Sequence, residues 1–201
     1  LRIYLVVEKP SELEEIVLQS RELKIAPLLG LRVRLASIGA GNWQNTGGEK
    51  SKFGLNAVQV LQLVERLRSE NMLEHLQLLH FHLGSPLANL QDIEKGIAEA
   101  ARLYADLRSL DVPLHTVDVG GGLGVDYEGT ASRSFCSMNY TLTQYAQAIV
   151  GGLFRVCETE RLSHPEIITE SGRAMTAHHA LLITNVIDTE RAMGLEEFYV
   201  R

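Results

Sequence analysis

The sequence predicts an α/β fold built on a parallel β-sheet. Five short apolar runs alternate with longer segments that have the periodicity of amphipathic helices. Three of the runs are almost continuously hydrophobic, which is typical of parallel strands covered on both faces. Strands that alternate with helices form βαβ units, so we expect all five strands in one parallel sheet. The predicted strands are 3–7, 26–35, 76–83, 114–119 and 166–169.

Helices are expected between these strands. Ser11 and Glu14 follow Pro10 with the spacing of a capping box, which predicts the start of the first helix. Asn56 is a candidate N-cap for the second helix. The irregular segment 37–51 is expected to be a functional or mobile loop. Apolar stripes at helical spacing comprise Val60, Leu61, Val64 and Leu67; Ile93, Ile97, Ala101, Tyr104 and Leu107; and Tyr145, Ile149, Leu153 and Val156.

The positions of polar residues favour a TIM-type β/α barrel over an open doubly wound sheet. Arg34, His82, Gly120–Gly122 and Glu170 each lie at or just beyond the C-terminal end of a different predicted strand. Ligands bind at that end in both architectures, but a barrel directs all such positions toward one central mouth.

Composition excludes several classes of function. The 201 residues are 45% hydrophobic and 22% charged, as in an ordinary globular protein with one substantial core. The net charge of −6, without a Lys/Arg cluster, argues against nucleic acid as a partner. No apolar run approaches the roughly 18 residues of a membrane span. Cys136 and Cys157 have neither disulfide-framework nor metal-site spacing, which fits a reducing compartment such as the cytoplasm.

A glycine-rich segment, which we call the glycine turn (residues 120–124), follows the fourth strand. Glycine permits positive φ and close approach to a ligand, and consecutive N–H groups can cradle a phosphate. The spacing does not match a dinucleotide fingerprint, because residues 125–130 read as a loop where a helix should begin. The turn therefore favours another phosphate-bearing small molecule.

Two histidines, His80 and His82, lie two positions apart in the third strand and therefore share one face. Either one could be a metal ligand, a general acid or a stacking surface. A pair of partly buried, hydrogen-bonded histidines is the structural alternative. No third His or Cys at ligand spacing supports zinc. Ser85, just beyond the strand, offers a hydroxyl and an N–H to an anion.

Glu170 and Arg173 follow the fifth strand. A carboxylate at a barrel strand end can hold a ring nitrogen protonated, and an arginine can bind a phosphate. An exposed Glu–Arg pair is the alternative interpretation. In the second strand, Arg32 and Arg34 alternate with Val33, so we expect one arginine to be solvated and the other to face inward.

Residues 80–85, 117–124 and 170–173 together resemble the pyridoxal-phosphate-dependent basic amino-acid decarboxylases with an alanine-racemase-like barrel. The similarity extends over essentially the whole chain. Segments 48–54, 126–130 and 171–179 are most similar to the arginine-specific branch, and they differ from ornithine and diaminopimelate decarboxylases.

This resemblance implies pyridoxal 5′-phosphate as cofactor and Mg²⁺ as a further requirement, for which the sequence indicates no site. His82 would stack on the cofactor ring and Glu170 would keep the ring nitrogen protonated, so these two are the implied catalytic residues. The other implied cofactor-binding residues, several of them around the phosphate, are Arg34, Ser85, Gly120, Gly121, Gly122, Gly172 and Arg173.

The implied reaction is the decarboxylation of L-arginine to agmatine and CO₂, in the synthesis of putrescine and spermidine. The implied enzyme is a homo-oligomer, a dimer or tetramer, with active sites shared between subunits and no membrane partner. Three alternatives remain open. The substrate could be ornithine, lysine or diaminopimelate; the chain could be an inactive regulatory relative; or it could be a phosphate-binding barrel without pyridoxal phosphate.

The resemblance also implies that parts of the enzyme lie outside this chain. The family's Schiff-base lysine lies on the first barrel strand, and we expect the five strands here to be the later ones of eight. Lys9 is rejected as that lysine, because it stands at a helix entry in an unrelated sequence context. Residues 1–180 are expected to form the incomplete barrel, which alone would be inactive. Residues 181–201 would lead, through a strand at 181–188, to a C-terminal β-domain with the family's substrate-binding Cys and Asp, which neither Cys136 nor Cys157 matches.

Overall fold

Five parallel strands lie side by side in the order in which they occur in the chain. The computed structural model describes residues 2–36, 53–192 and 195–200, so the predicted loop 37–51 lies outside the described residues. Each predicted strand is present, and each is shorter than expected. The strands are β1 (Tyr4–Val7), β2 (Leu28–Arg32), β3 (Leu76–His80), β4 (Thr116–Asp118) and β5 (Glu166–Ile168).

This topology is that of consecutive strands in a β/α barrel. Every neighbouring pair of strands is parallel, and the sheet order β1-β2-β3-β4-β5 never reverses. A doubly wound sheet reverses its strand order at the switch point where the ligand binds, whereas barrel strands follow one another around the barrel. The predicted fold class is therefore confirmed.

Helices cover one face of the sheet. They are α1 (Pro10–Leu23), α2 (Ala57–Ser69), α3 (Leu90–Ser109), α4 (Leu142–Glu160) and the short α5 (Gly172–Thr176). Alternate strand residues such as Leu31, Leu79 and Val117 are buried in the hydrophobic core beneath the helices. The opposite face, which would line the inside of a barrel, carries the polar residues of the site. Among the described helices, none has the length and apolarity that crossing a membrane requires.

The predicted start of α1 is wrong by two residues. Lys9, not Ser11, is the N-cap, and the Glu12 carboxylate accepts a hydrogen bond from the Lys9 backbone N–H at 3.1 Å. Pro10 explains the shift, because a proline at the first helical position loses no hydrogen bond and already has a helical φ. Only half of a capping box is formed, because the Lys9 side chain has no acceptor and the Glu12 N–H donates to the Lys9 carbonyl at 3.1 Å instead.

The apolar stripes were predicted correctly with one exception. All five predicted residues of α3 are buried, as are three of the four in α4, and Val156 packs against the core. In α2, however, Leu61 is 50% exposed and Leu63 takes its place in the core. Residue 63 lies three positions after Val60 and so returns to the same helix face, whereas residue 61 is turned away by about 100°.

Beyond the barrel strands, the chain forms a separate two-stranded antiparallel sheet of β6 (Val186–Ala192) and β7 (Leu195–Val200). The strand expected at 181–188 therefore begins only at Val186, and residues 181–185 have no strand structure. A division of the chain at residue 180 stays a prediction.

Candidate functional site

The predicted site residues converge where β3, β4 and β5 end. Hydrogen bonds continue past the strands and join the three loops. The Glu170 N–H donates to the Gly120 carbonyl at 2.9 Å, and the Leu87 N–H donates to the Gly122 carbonyl at 2.8 Å. These bonds hold together seven of the predicted residues, which we call the strand-end site: His82, Ser85, Gly120, Gly121, Gly122, Glu170 and Arg173.

The glycine turn needs glycine for both its backbone angles and its close packing. Gly120 has φ +68° and Gly122 has φ +103°. A Cβ atom at Gly120 would lie 2.5 Å from the Phe81 carbonyl oxygen, and one at Gly122 would lie 2.2 Å from the Gly84 carbonyl oxygen. No side chain fits at either position, so the turn brings bare backbone to the site.

The N–H groups of this turn are less available than the sequence suggested. The Gly120 N–H donates to Asp118 Oδ1 at 2.9 Å, and the Gly121 N–H donates to His82 Nδ1 at 3.3 Å. Within the described part of the chain, the Gly122 N–H has no acceptor. Two of the consecutive N–H groups are therefore engaged within the protein, and the Gly122 N–H is the one that points to no described acceptor.

His82 is a half-buried, neutral imidazole. Its Nδ1 accepts the Gly121 N–H, which places the ring proton on Nε2. Burial lowers the pKa of His82, and the nearby positive charge of Arg32 and the neighbouring His80 lower it further, against an opposing effect of Asp118. A neutral ring presents a flat apolar surface, which suits stacking better than acid catalysis.

Arg173 and Ser85 meet at the mouth of the site. Arg173 Nη2 donates to Ser85 Oγ at 3.5 Å, although the two residues are far apart in the sequence. In the described structure, Arg173 forms no ion pair with Glu170, so the alternative of an isolated Glu–Arg surface pair is wrong. A guanidinium beside a hydroxyl is a suitable pair of donors for a phosphate.

The structure places Arg34 differently from the other predicted residues. Its guanidinium donates to the carbonyl oxygens of Phe53 at 3.2 Å and Gly54 at 3.0 Å, so it holds the segment that leads into α2. Arg32 pairs with Glu8 at 2.9 Å and lies over the Phe53 ring. Both arginines are partly buried, and the prediction that one is solvated is wrong because residues two apart share a strand face.

Sequence reasoning assigned no role to Asp118. This residue lies in register with His80 on the adjacent strand, and both side chains are about nine-tenths buried. Asp118 Oδ2 lies 3.2 Å from His80 Nδ1. The pairing of His80 with Asp118 could have been predicted, because both are polar residues on the inner faces of strands that the sequence places next to each other.

Tyr140 was missed entirely. Its hydroxyl donates to the Leu87 carbonyl at 2.6 Å and accepts the Gly124 N–H at 2.9 Å, so it ties the end of the glycine turn to the loop after β3. Burial raises the pKa of Tyr140 to about 12. No local pattern indicates this role, because Tyr140 lies in an irregular segment before α4.

One group of metal-ligating side chains is found among the described residues. It comprises His80, Asp118 and Glu170, whose candidate ligand atoms all lie within 4.8 Å of one another. Mg²⁺ prefers an octahedral set of oxygen ligands and retains several waters. A set that includes an imidazole nitrogen does not fit the Mg²⁺ that the resemblance implied, and we derive no magnesium chemistry from it.

A family comparison decides the class of protein. Residues 2–177 match the family model described as pyridoxal-dependent decarboxylase, pyridoxal binding domain. The chain belongs to this family. Pyridoxal phosphate is therefore the cofactor of the domain, and the strand-end site fits it. The site provides a neutral ring face, a side-chain-free turn, a phosphate-type donor pair and a carboxylate.

Named relatives of this decarboxylase family agree with the arginine-specific resemblance. The chain is 63% identical over 194 residues to a biosynthetic arginine decarboxylase of Alkalilimnicola ehrlichii, covering 96% of this chain and 31% of the relative. It is 58% identical to the one from Marinobacter nauticus, covering 94% and 30%. This chain thus spans about a third of the length of these relatives.

Solved structures from the same family share the fold. The biosynthetic arginine decarboxylase of Campylobacter jejuni has a TM-score of 0.76 and 32% identity, covering 96% of this chain and 31% of that one. Diaminopimelate decarboxylase from Helicobacter pylori, complexed with L-lysine, has a TM-score of 0.75 and 28% identity, covering 98% of this chain and 46% of that one.

Proposed function

We propose that this chain forms the cofactor-binding part of an arginine decarboxylase, which converts L-arginine to agmatine and CO₂ for putrescine and spermidine synthesis. The main support for a pyridoxal-phosphate-dependent decarboxylation is that a stacking imidazole, a phosphate-type donor pair and a carboxylate converge at the strand-end site. The relatives' printed name, at 56–63% identity over 94–96% of this chain, supports arginine as the substrate.

Each residue of the strand-end site has a distinct task in this proposal. Pyridoxal phosphate, when bound, supplies the electron sink for the charge left on the substrate carbon when CO₂ departs. Glu170 holds a proton on the ring nitrogen, and His82 packs against the ring face. The phosphate accepts hydrogen bonds from Ser85, Arg173 and the Gly122 N–H. The Gly121 N–H can join them when it no longer donates to His82. Gly172 lies next to Arg173 in the chain.

The remaining machinery is proposed to lie in the rest of a longer enzyme. The chain spans 31% of the relative from Alkalilimnicola ehrlichii, which leaves room for the covalently bound lysine and the substrate-binding Cys and Asp. We propose a cytoplasmic homo-oligomer with shared active sites. The free cysteines Cys136 and Cys157 are compatible with a reducing compartment. Light scattering of the full-length protein measures the oligomeric state.

Glu170→Gln in the full-length protein tests the proposed reaction type. The amide keeps the shape of the side chain but cannot hold the ring nitrogen protonated, so we expect kcat to fall on the order of 100-fold. The dissociation constant of pyridoxal phosphate should change little, because the phosphate donors remain. Turnover is measured as CO₂ release, and cofactor binding by fluorescence.

Glu166→Gln is the matched control. Glu166 lies four residues earlier, at the start of β5, and pairs with Arg2 at 3.2 Å on the exposed surface. The Glu166→Gln variant should decarboxylate arginine at the wild-type rate. An unchanged rate in Glu170→Gln would contradict the electron-sink role.

A separate assay tests the substrate. CO₂ release from arginine, ornithine, lysine and diaminopimelate is compared with the purified full-length protein. Equal or faster turnover of any of the last three would overturn the assignment of arginine. Tight cofactor binding without CO₂ release from any of the four would instead indicate the inactive regulatory relative.

A further inference from the structure

A polar row crosses the inner face of the sheet below the strand-end site. Arg32, His80 and Asp118 are aligned in register across β2, β3 and β4. His80 and Asp118 are each 8% exposed, so both side chains are almost removed from water. Burying a polar group costs free energy unless it has a hydrogen-bond partner, so a buried polar row of this kind indicates a functional role.

Asp118 is fixed, but His80 is not fully satisfied. Asp118 Oδ1 accepts the Gly120 N–H at 2.9 Å, which anchors the carboxylate to the glycine turn. His80 Nδ1 lies 3.2 Å from the other oxygen, Oδ2, within ion-pair distance. The angle between His80 Nδ1 and Asp118 Oδ2 is not that of a hydrogen bond. Within the described residues, this buried nitrogen therefore has no hydrogen-bond partner.

Glu170 is the nearest group that can complete the set. A ring nitrogen of His80 and carboxylate oxygens of Asp118 and Glu170 all lie within 4.8 Å of one another. The Glu170 backbone is held by its N–H bond to Gly120, while its side chain is exposed and able to turn. Within the described residues, the Glu170 carboxylate makes no hydrogen bond or ion pair that would hold it away from the imidazole.

We propose that His80, which lies beside the Asp118 carboxylate, is a positioning residue for Glu170. In the working enzyme a ring N–H of His80 donates to one carboxylate oxygen of Glu170 and aims the other oxygen at the cofactor's ring nitrogen. The inference rests on the proposed function, since it assigns a supporting residue to the same carboxylate. It also gives the unpartnered nitrogen of His80 an acceptor.

His80→Leu in the full-length, cofactor-loaded protein is the first test. Without the N–H, the Glu170 carboxylate loses its direction, and we expect kcat to fall about 10- to 100-fold, as for other groups that orient a functional ligand. The KM for arginine and the dissociation constant of pyridoxal phosphate should stay within about threefold, because no binding contact is removed. Equal losses in kcat and in cofactor affinity would show a merely structural role.

Two further substitutions retain a donor and test rescue. His80→Asn places an amide near the position of Nδ1, and His80→Gln places one near Nε2. At least one of them should restore kcat to within about fivefold of the wild type, since a neutral N–H suffices to orient the carboxylate. These variants also decide the question if His80→Leu does not fold, because two folded amide variants that are both inactive overturn the proposal.

His115→Leu is the matched control for the leucine substitution. His115 is an exposed histidine just before β4, with ring hydrogen bonds to Thr116 and Gln77 at 2.9 Å. It lies outside the strand-end site. The kcat and KM of the His115→Leu variant should equal those of the wild type.

A double-mutant cycle separates this inference from the proposed function. In the Glu170→Gln background, replacing His80 by Asn or Leu should lower kcat by less than about twofold more, because the two residues act through one group. Independent, multiplying losses would overturn the positioning role while leaving the proposed function intact. A normal rate for Glu170→Gln alone would instead refute the proposed function.

Discussion

At the scale of single residues, buried polar atoms determine the shape of the site. The ring of Tyr140 packs in the core, and its hydroxyl forms hydrogen bonds with two backbone groups, the Leu87 carbonyl and the Gly124 N–H. Neither backbone group belongs to a regular strand, so no ladder would satisfy it without this side chain. One phenol therefore links the glycine turn to the loop that carries Ser85.

Tyr140→Phe is expected to lower stability by about 1–3 kcal/mol, because it leaves two buried backbone groups without partners. The loss should depend on pH. The folded-state pKa of Tyr140 is raised from 10 to about 12, so the folded protein holds this proton more tightly than the unfolded chain. The stability that Tyr140 contributes is fully present below pH 10 and is lost as the pH rises to about 12.

Thermal unfolding of the full-length wild type and Tyr140→Phe at a series of pH values checks this expectation. The difference in melting temperature should be constant at neutral pH and shrink between pH 10 and about 12. A difference that grows over that range would contradict the assigned cause.

At the scale of elements, each helix start is set by a few local hydrogen bonds. The Asn56 side-chain oxygen accepts the Gln59 N–H at 2.9 Å, and Thr141 Oγ1 accepts the Gln144 N–H at 3.2 Å. Both are capping boxes, and the glutamine side chains return a bond to the cap backbone. Asn56 was predicted from sequence, whereas the equivalent signal at Thr141 was overlooked.

Asn56→Ala should destabilise the protein by about 1 kcal/mol, because alanine leaves the first-turn N–H of α2 without its acceptor. Gln62→Ala, at an exposed position within the same helix, is the control and should have almost no effect. Chemical unfolding of the two variants measures the difference. A loss in Gln62→Ala as large as that in Asn56→Ala would exclude capping as the reason.

At the scale of the whole molecule, the sheet and its helices leave apolar surface uncovered in this chain. On and beside β1, Ile3 is 64% exposed, Leu5 45% and Val6 39%. Leu5 also lines a groove with Ile16 and Leu23 on α1. Exposed apolar residues on an unpaired strand edge favour association with other chains.

The 201-residue chain produced alone should therefore self-associate and release no CO₂ from arginine. Leu5→Lys should reduce the association, because a charge on an edge strand opposes strand pairing. Leu18→Lys is the control: Leu18 is 61% exposed on α1 but does not line the groove that Leu5 lines, so its substitution should leave the association unchanged. Size-exclusion chromatography with light scattering measures the outcome, and a stable monomer of the unmodified chain would contradict it.

Periodicity was sufficient to predict the parallel sheet and most helix faces, because period-two and period-3.6 burial patterns depend on local geometry. In α2 the predicted stripe included Leu61, although the helical period turns that position about 100° away from Val60 and places Leu63 on the buried face instead. In α1 the match at Ser11 and Glu14 was local, and the real cap was decided by Pro10.

The sequence by itself determined the residue types of the strand-end site and the end of the sheet at which they lie. In a β/α barrel the strands follow one another in chain order, so polar residues after successive strands converge at one mouth. Tertiary structure alone decided that Arg34 holds the segment at Phe53, that Arg173 meets Ser85, and that His80 lies close to the carboxylates of Asp118 and Glu170. These contacts join residues distant in sequence, and their distances depend on how the strands and loops pack, which no local pattern encodes.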